Sequence, residues 1–198
     1  MFNFAAIPKY CINLARRVDR REHAEREFRQ HGLDVEFITA IDGNDIILPE
    51  LSTKAHEYYA KGNWACVLSH LSIIKQASTE YICIFEDDVK LCDGFTDRMA
   101  NIEPPAFDIF YLAGGYKEGE DIGNGFHSVK VMNGTWAYIL GKTAGEFIAR
   151  NITYNWGPDQ FYSDVLLSRF RGITYLPSMA TPSALAADGD IGGPSTAR

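Results

Sequence analysis

The segment YICIFEDDV at positions 81–89 constrains the fold of this chain more than any other. An unbroken apolar run of that length, rich in β-branched and aromatic residues, is what a strand buried on both faces requires. It runs straight into Glu86, Asp87 and Asp88. A doubly buried strand lies inside a sheet covered by helices, so the acidic triplet falls at the sheet's carboxyl edge, where open α/β folds bind ligands.

Shorter pieces of the same kind alternate along the chain. Residues 10–14 (YCINL) read as a buried strand, and 19–31 as a helix that Asp19 caps and Gly32 ends. Glu22 with Arg26 and Glu25 with Arg29 supply i,i+4 pairs on that helix. Residues 35–41 read as the next strand, completing a βαβ unit. Asn63 stands where it can cap a helix in which Trp64, Val67, Leu68, Leu71 and Ile74 keep helical spacing, while Cys66 and Ile73 make its other side apolar too. Further strands are predicted at 108–112, 135–140 and 172–176, with helices at 142–151 and, after Pro158, at 159–167. Residues 46–61 carry no clear period and read as a lid or connector. Glycine density at 114–125 predicts a mobile loop, and the stretch 177–198 reads as a flexible or ligand-ordered tail. The pattern predicts an α/β fold with a mostly parallel central sheet and helices on both faces. With 198 residues the chain is expected to form a single domain over 1–198.

Composition bears on partners. A formal net charge of -7 and a pI near 5.2 argue against wrapping a polyanion, so no nucleic acid is expected. The apolar helical stretch at 63–74 falls short of the ~20 residues a membrane span needs, and the N-terminus has no basic lead or cleavage site. Four cysteines form no CxxC pair and no zinc-type spacing with the five histidines, which suggests free thiols in a reducing compartment. A cytoplasmic protein, at most peripheral to a membrane surface, is the expectation.

The acidic triplet invites chemistry. In extended backbone Glu86 and Asp88 project one way and Asp87 the other. Two carboxylates ~6 Å apart repel by roughly 3 kcal/mol at an effective dielectric of 20, and a divalent cation turns that cost into a binding site. Oxygen-only ligands suit Mg²⁺ or Mn²⁺. An exposed acidic turn capping the next helix is the plainer alternative. Upstream, Arg16, Arg17, Arg20 and Arg21 cluster between the first strand and the first turn of its helix, a place suited to a diphosphate. Arg26 and Arg29 fit a solvated helix face instead. Asp42, in AIDG, stands where an acid commonly accepts hydrogen bonds from a ribose or base edge, although Asp-Gly is also an ordinary turn. His70 reads as a core histidine, and Ser69 beside it is ambiguous.

Taken in order, these pieces resemble glycosyltransferase family 25, the lipopolysaccharide galactosyltransferase-like enzymes related to collagen galactosyltransferases. The matching segments are CINLARRVDRRE (11–22), FITAIDG (37–43), GNWACVLSHLSIIK (62–75), YICIFEDDVKL (81–91), GTWAYILGKTAGEFI (134–148) and GPDQFYSDVL (157–166). The resemblance implies a GT-A-type, Rossmann-like fold and metal-dependent, inverting transfer of a hexose from a nucleotide-sugar donor. UDP-galactose or UDP-glucose is the implied donor, and a glycan, lipopolysaccharide or glycoprotein hydroxyl the acceptor. It implies nucleotide-sugar contacts from Asn13, Arg16, Asp19, Arg20, Asp42, Ser69 and Asp87. Asp87 and Asp88 resemble the metal-binding part of a DxD-like motif for Mn²⁺ or Mg²⁺, and Asp190, in GDI, a further metal or diphosphate contact. Asp159, in GPDQF, resembles the acid that opens a late segment of the family; inversion needs one base, and Asp159 is the choice for it, with a helix cap after Pro158 as the equally weighted alternative and Glu86 in reserve. GNWAC in place of a GEIGC-like segment and ADGDIGG near the end depart from the family pattern and leave the donor sugar open. Two other readings remain: a non-catalytic nucleotide-sugar or glycan-binding module of the same fold, and phosphoryl chemistry at the acidic cluster. The latter lacks a convincing set of nucleophilic aspartate, lysine and Ser or Thr.

Overall fold

The computed structural model describes residues 2–47, 57–154 and 156–187. The chain enters through β1 (Lys9–Asn13), α1 (Val18–Gln30) and β2 (Glu36–Thr39), then α2 (Glu57–Ile74), β3 (Tyr81–Glu86), β4 (Val89–Leu91) and α3 (Phe95–Asn101). Next come β5 (Ile109–Glu118), β6 (Asp121–Gly123), β7 (Phe126–Val129) and β8 (Val131–Gly141). It closes with α4 (Lys142–Asn151), the short α5 (Pro158–Phe161) continued by a π turn (Tyr162–Leu166), β9 (Gly172–Tyr175) and β10 (Ala180–Pro182).

Eight strands form one sheet in the order β2-β1-β3-β8-β5-β9-β7-β6, while β4 and β10 make a small antiparallel pair. The α/β class is as expected, but the sheet is mixed rather than mostly parallel. Its parallel pairs are β1 with β2, β1 with β3, and β5 with β9. The other junctions are antiparallel: β8 inserts between β3 and β5 and pairs antiparallel with each, and β7 pairs antiparallel with β9 and β6. Hydrophobic periodicity reports burial and is silent on strand direction. The parallel block of β2, β1 and β3 is the part that matters for the site, since its carboxyl ends converge.

Alternation along the strands feeds two cores. Cys11, Cys83, Phe85, Phe110, Leu112 and Ile139 face α1 and α3, where Ala24, Phe28, Phe95 and Met99 cover them. Ile12, Ile84, Ile109, Tyr111, Tyr138 and Leu140 face Val67 and Leu71 of α2, Ile148 of α4, and Phe161. Each such fully buried large side chain contributes roughly 1.5–3 kcal/mol. Helices therefore cover both faces.

Several local expectations shift. Asp19 does not cap α1: Arg17 occupies the cap position and takes the Asp19 carboxylate in an ion pair of 2.8 Å. Asn63 lies inside α2, which starts at Glu57. Most of the patternless 46–61 stretch lies outside the described residues or inside α2. The glycine-rich 114–125 region is the far half of β5 plus the start of a β6–β7 hairpin, because Gly115 and Tyr116 pair with Asn133 and Met132 of β8. Of the presumed tail, Ala180–Pro182 pairs with β4 and 184–187 form a 3₁₀ turn; residues 188–198 lie outside the described set. No described helix is long and apolar enough to cross a membrane.

Candidate active site

At the carboxyl edge, Ile12 of β1 pairs with Glu86 of β3, which sets the residues after each strand side by side. The chain turns immediately after Glu86 before entering β4, so simple alternation of the triplet fails. Asp87 and Asp88 instead converge on one guanidinium: Arg20 Nη1 lies 3.2 Å from Asp87 Oδ1 and 3.1 Å from Asp88 Oδ2. These three side chains are only 7–8% exposed. Asn13 Nδ2 donates to Asp87 Oδ2 at 2.7 Å, binding the end of β1 to the same turn. Arg20 Nη2 donates to the Leu185 carbonyl at 2.9 Å, and the Ser183 amide donates to the Asp88 carbonyl at 2.7 Å. The end of the described chain is thus tied to the acidic turn.

Glu86 points elsewhere. Its Oε1 accepts from the Thr135 hydroxyl at 2.6 Å and lies 3.5 Å from His70 Nε2. Burial works to raise its pKa, yet His70 and Thr135 hold it below the usual carboxylate range. Asp87 is raised, by burial above all, with Asn13 and Arg20 opposing. Asp88 is pushed up to about 7 by burial and by the neighbouring Glu86 charge, Arg20 offsetting only part.

That shift carries a stability consequence. A carboxyl whose folded pKa exceeds its unfolded value retains in the folded state a proton that the unfolded chain has already released. The contribution of Asp88 to stability is therefore full below about pH 4 and falls as pH rises towards about 7, where Asp88 ionises in the folded protein. Asp88→Asn removes this penalty. In urea unfolding with a chelator present, the variant is expected to be more stable than the parent at about pH 8 by on the order of 1–3 kcal/mol, with the gap closing near pH 4. A constant gap across that range would exclude the assignment.

Around these acids lies a cavity of about 200 Å³ lined by Ile12, Leu14, Arg16, Arg20, Ala40, Ile41, Gly43, Ser69, His70, Trp136 and all three acids, among others. Gly43 allows the 40s loop to settle on α2, since a Cβ there would lie 3.2 Å from the Gly62 backbone. Arg16, with a side chain 45% exposed, pairs with Asp42 at 2.7 Å. Asp42 also accepts from the Asn44 amide at 2.9 Å, and those two partners, the amide first, lower its pKa. Ser69 is a buried brace: its hydroxyl donates to the Ala65 carbonyl at 2.7 Å and accepts from the Ile41 amide at 2.9 Å.

The cavity gathers Arg16, Arg20, Ser69, Glu86, Asp87 and Asp88, with Asn13 and Asp42 bonded to its lining. Asp19 turns away to Arg17, which lowers its pKa to about 2 chiefly by hydrogen bonding. Asp190 lies outside the described residues. Asp159 is not among the lining residues. Its oxygens accept from the Gly134 amide at 3.1 Å and from the Gln160 amide at 2.9 Å. Gly134 sits at φ +79, and a Cβ there would lie 2.5 Å from the Trp136 ring. Asp159 thereby fixes the bend of β8 that presents Thr135 and Trp136. Asp159→Asn, whose single oxygen cannot serve both amides, is expected to lose about 1 kcal/mol, a drop of roughly 2–4 °C in Tm. Trp136, Thr135 and Cys66 had no individual signal in the sequence beyond their place in the GTWAYIL and GNWAC segments.

The oxygens here suit a hard divalent cation. Asp88 Oδ1 is buried and accepts no hydrogen bond, and Asp87 and Asp88 share one buried guanidinium. Residues 6–121 match the model of the family described as glycosyltransferase family 25 (LPS biosynthesis protein). The chain belongs to glycosyltransferase family 25. The LgtB lacto-N-neotetraose biosynthesis glycosyltransferase of Neisseria meningitidis serogroup B is 36% identical over 101 residues, 46% of this chain and 36% of that protein. A putative glycosyltransferase, R655, of Acanthamoeba polyphaga mimivirus is 32% identical over 126 residues, 56% of this chain and 38% of the relative. The family 25 chain thus aligns with little more than a third of either relative. Among solved structures, a glycosyltransferase involved in glycosylation of the major capsid of PBCV-1 superposes with a TM-score of 0.50 at 13% identity, covering 90% of this chain and 92% of that one. That likeness bears on the fold, which is of GT-A type.

Proposed function

We propose that this family 25 domain transfers a hexose from a nucleotide sugar, UDP-galactose or UDP-glucose, to a hydroxyl of a glycan, lipopolysaccharide or glycoprotein, with inversion. The observation that carries the reading is the meeting of the first crossover arginines with the acids after β3 in one cavity at the sheet's carboxyl edge. Arg16 pairs with the diphosphate, exchanging its Asp42 partner for phosphate oxygens. Arg20 is the internal counter-ion that holds Asp87 and Asp88 in place and partly offsets the burial that favours their protonated forms. Asp87 and Asp88 are the residues to hold Mn²⁺ or Mg²⁺, which when bound would neutralise charge growing on the diphosphate leaving group. Trp136 offers a ring for stacking against sugar or base.

Inversion needs one base opposite the leaving group. Of the two candidates, Glu86 lines the cavity and Asp159 does not. Glu86 is assigned the acceptor proton: the hydroxyl oxygen bonds to the anomeric carbon, its proton passes to the carboxylate, and the bond from that carbon to the diphosphate breaks.

A thermal-shift screen of UDP-, GDP- and dTDP-sugars with and without Mn²⁺ tests the reading. A UDP-hexose is expected to stabilise the protein only with the cation present, by about 2.7 kcal/mol at a hundredfold excess over Kd. Absence of stabilisation by every nucleotide sugar overturns it, and donor binding without transfer or hydrolysis points to the binding-module reading.

A further inference from the structure

Beside Glu86 stand Cys66 and His70, one helical turn apart on α2. A sulfur of Cys66, a ring nitrogen of His70 and a carboxylate oxygen of Glu86 all lie within 4.8 Å of one another. His70 is 2% exposed, yet its Nε2 makes no hydrogen bond, although Glu86 Oε1 is 3.5 Å away. The ring is held from its other side: Nδ1 lies 2.8 Å from the Tyr138 hydroxyl, which lies 3.2 Å from that of Tyr162. With Nδ1 donating into that tyrosine chain, Nε2 keeps its lone pair and faces the thiol and the carboxylate. Buried metal-binding histidines are oriented in this way.

We propose that Cys66, His70 and Glu86 form a site for a borderline transition-metal cation of the Zn²⁺ or Co²⁺ class, separate in chemistry from the all-oxygen corner at Asp87 and Asp88. One sulfur, one nitrogen and one oxygen donor select such ions over Mg²⁺, which demands oxygen and octahedral geometry. Three protein ligands leave a fourth tetrahedral position, and all three residues line the 200 Å³ cavity, so that position faces the cavity. Binding displaces the thiol proton, the thiolate being the ligand, and the released proton goes to solvent. The spacing was invisible as a zinc pattern because the third ligand comes from β3. The proposal is independent of whether the cavity binds a nucleotide sugar, although an occupied site would engage Glu86 and so inhibit any transfer.

The test is titration of the purified chain with Co²⁺ alone, without nucleotide, in a non-chelating reductant. Wild type is expected to develop a near-ultraviolet thiolate-to-cobalt charge-transfer band with strong visible bands of tetrahedral cobalt. Zn²⁺ abolishes them, since it binds such sites more tightly than Co²⁺, while excess Mg²⁺ leaves them intact. Cys66→Ser removes the charge-transfer band, and Cys92→Ser, altering the other half-buried thiol, keeps it. Tyr138→Phe, acting through His70, weakens Co²⁺ binding by 10–100-fold, the usual scale for such partners. Asp88→Asn retains the band, which separates this site from the oxygen corner. Absence of the band in folded wild type, its persistence in Cys66→Ser, or its loss in Asp88→Asn overturns the proposal. Should Cys66→Ser fail to fold, Glu86→Gln decides: unchanged Co²⁺ affinity there overturns it too.

Discussion

Replacing Arg20 with methionine is expected to remove about 3–5 kcal/mol of stability at neutral pH, the cost of leaving a buried ionic partner uncompensated. Its guanidinium is the shared counter-ion of Asp87 and Asp88, at 3.2 and 3.1 Å, and all three side chains are nearly inaccessible to water. Methionine supplies similar bulk and no charge, so Asp87 and Asp88 lose the cation that opposes their burial and are left unpaired in a poorly solvated corner. In a domain of this size the loss lowers Tm by roughly 10 °C. The deficit should shrink in acid, where both carboxylates take up protons, and should be partly restored by Mn²⁺, which can stand in for the missing cation. A variant that melts like wild type without metal would mean that the corner is well hydrated and that the pair contributes little.

The largest functional effect is expected from Glu86→Gln. If Glu86 takes the acceptor proton, the amide should lower the transfer rate by about 10²–10⁴-fold, the range for loss of a general base. UDP-hexose stabilisation should be retained, because the amide keeps the oxygen that accepts from Thr135 and removes no contact assigned to the diphosphate. Asp159→Asn provides the comparison, with transfer expected to fall less than tenfold. The opposite pattern would transfer the base to Asp159 and make Glu86 a positioning residue.

Much of this corner was legible in the sequence because it follows from burial and strand direction. YICIF demanded a central strand, and its acids therefore had to emerge at an edge; YCINL demanded a parallel neighbour, which placed the arginine crossover at the same edge. What the sequence withheld is pairing. Arg20 was expected to face phosphate and instead lies between two acids, because the tight turn after Glu86 brings Asp87 and Asp88 to one side. Asp19 was expected to cap a helix, but Arg17 captured it. The insertion of β8 between β3 and β5 reverses the sheet's direction at a place where residue periodicity looks the same for either orientation. Cys66 and His70 needed Glu86, from a separate element, before their spacing acquired meaning.

The hydrogen bond from Arg20 to the Leu185 carbonyl joins residues 165 positions apart. During synthesis the arginine, the acids and most of the sheet leave the ribosome well before that carbonyl exists. The nascent chain must therefore carry an unfinished, highly charged corner until Leu185 has been made, and ribosome-stalled chains shortened before Ser183 should expose Arg20 and Asp88 to solvent exchange while the hydrophobic layers are already protected.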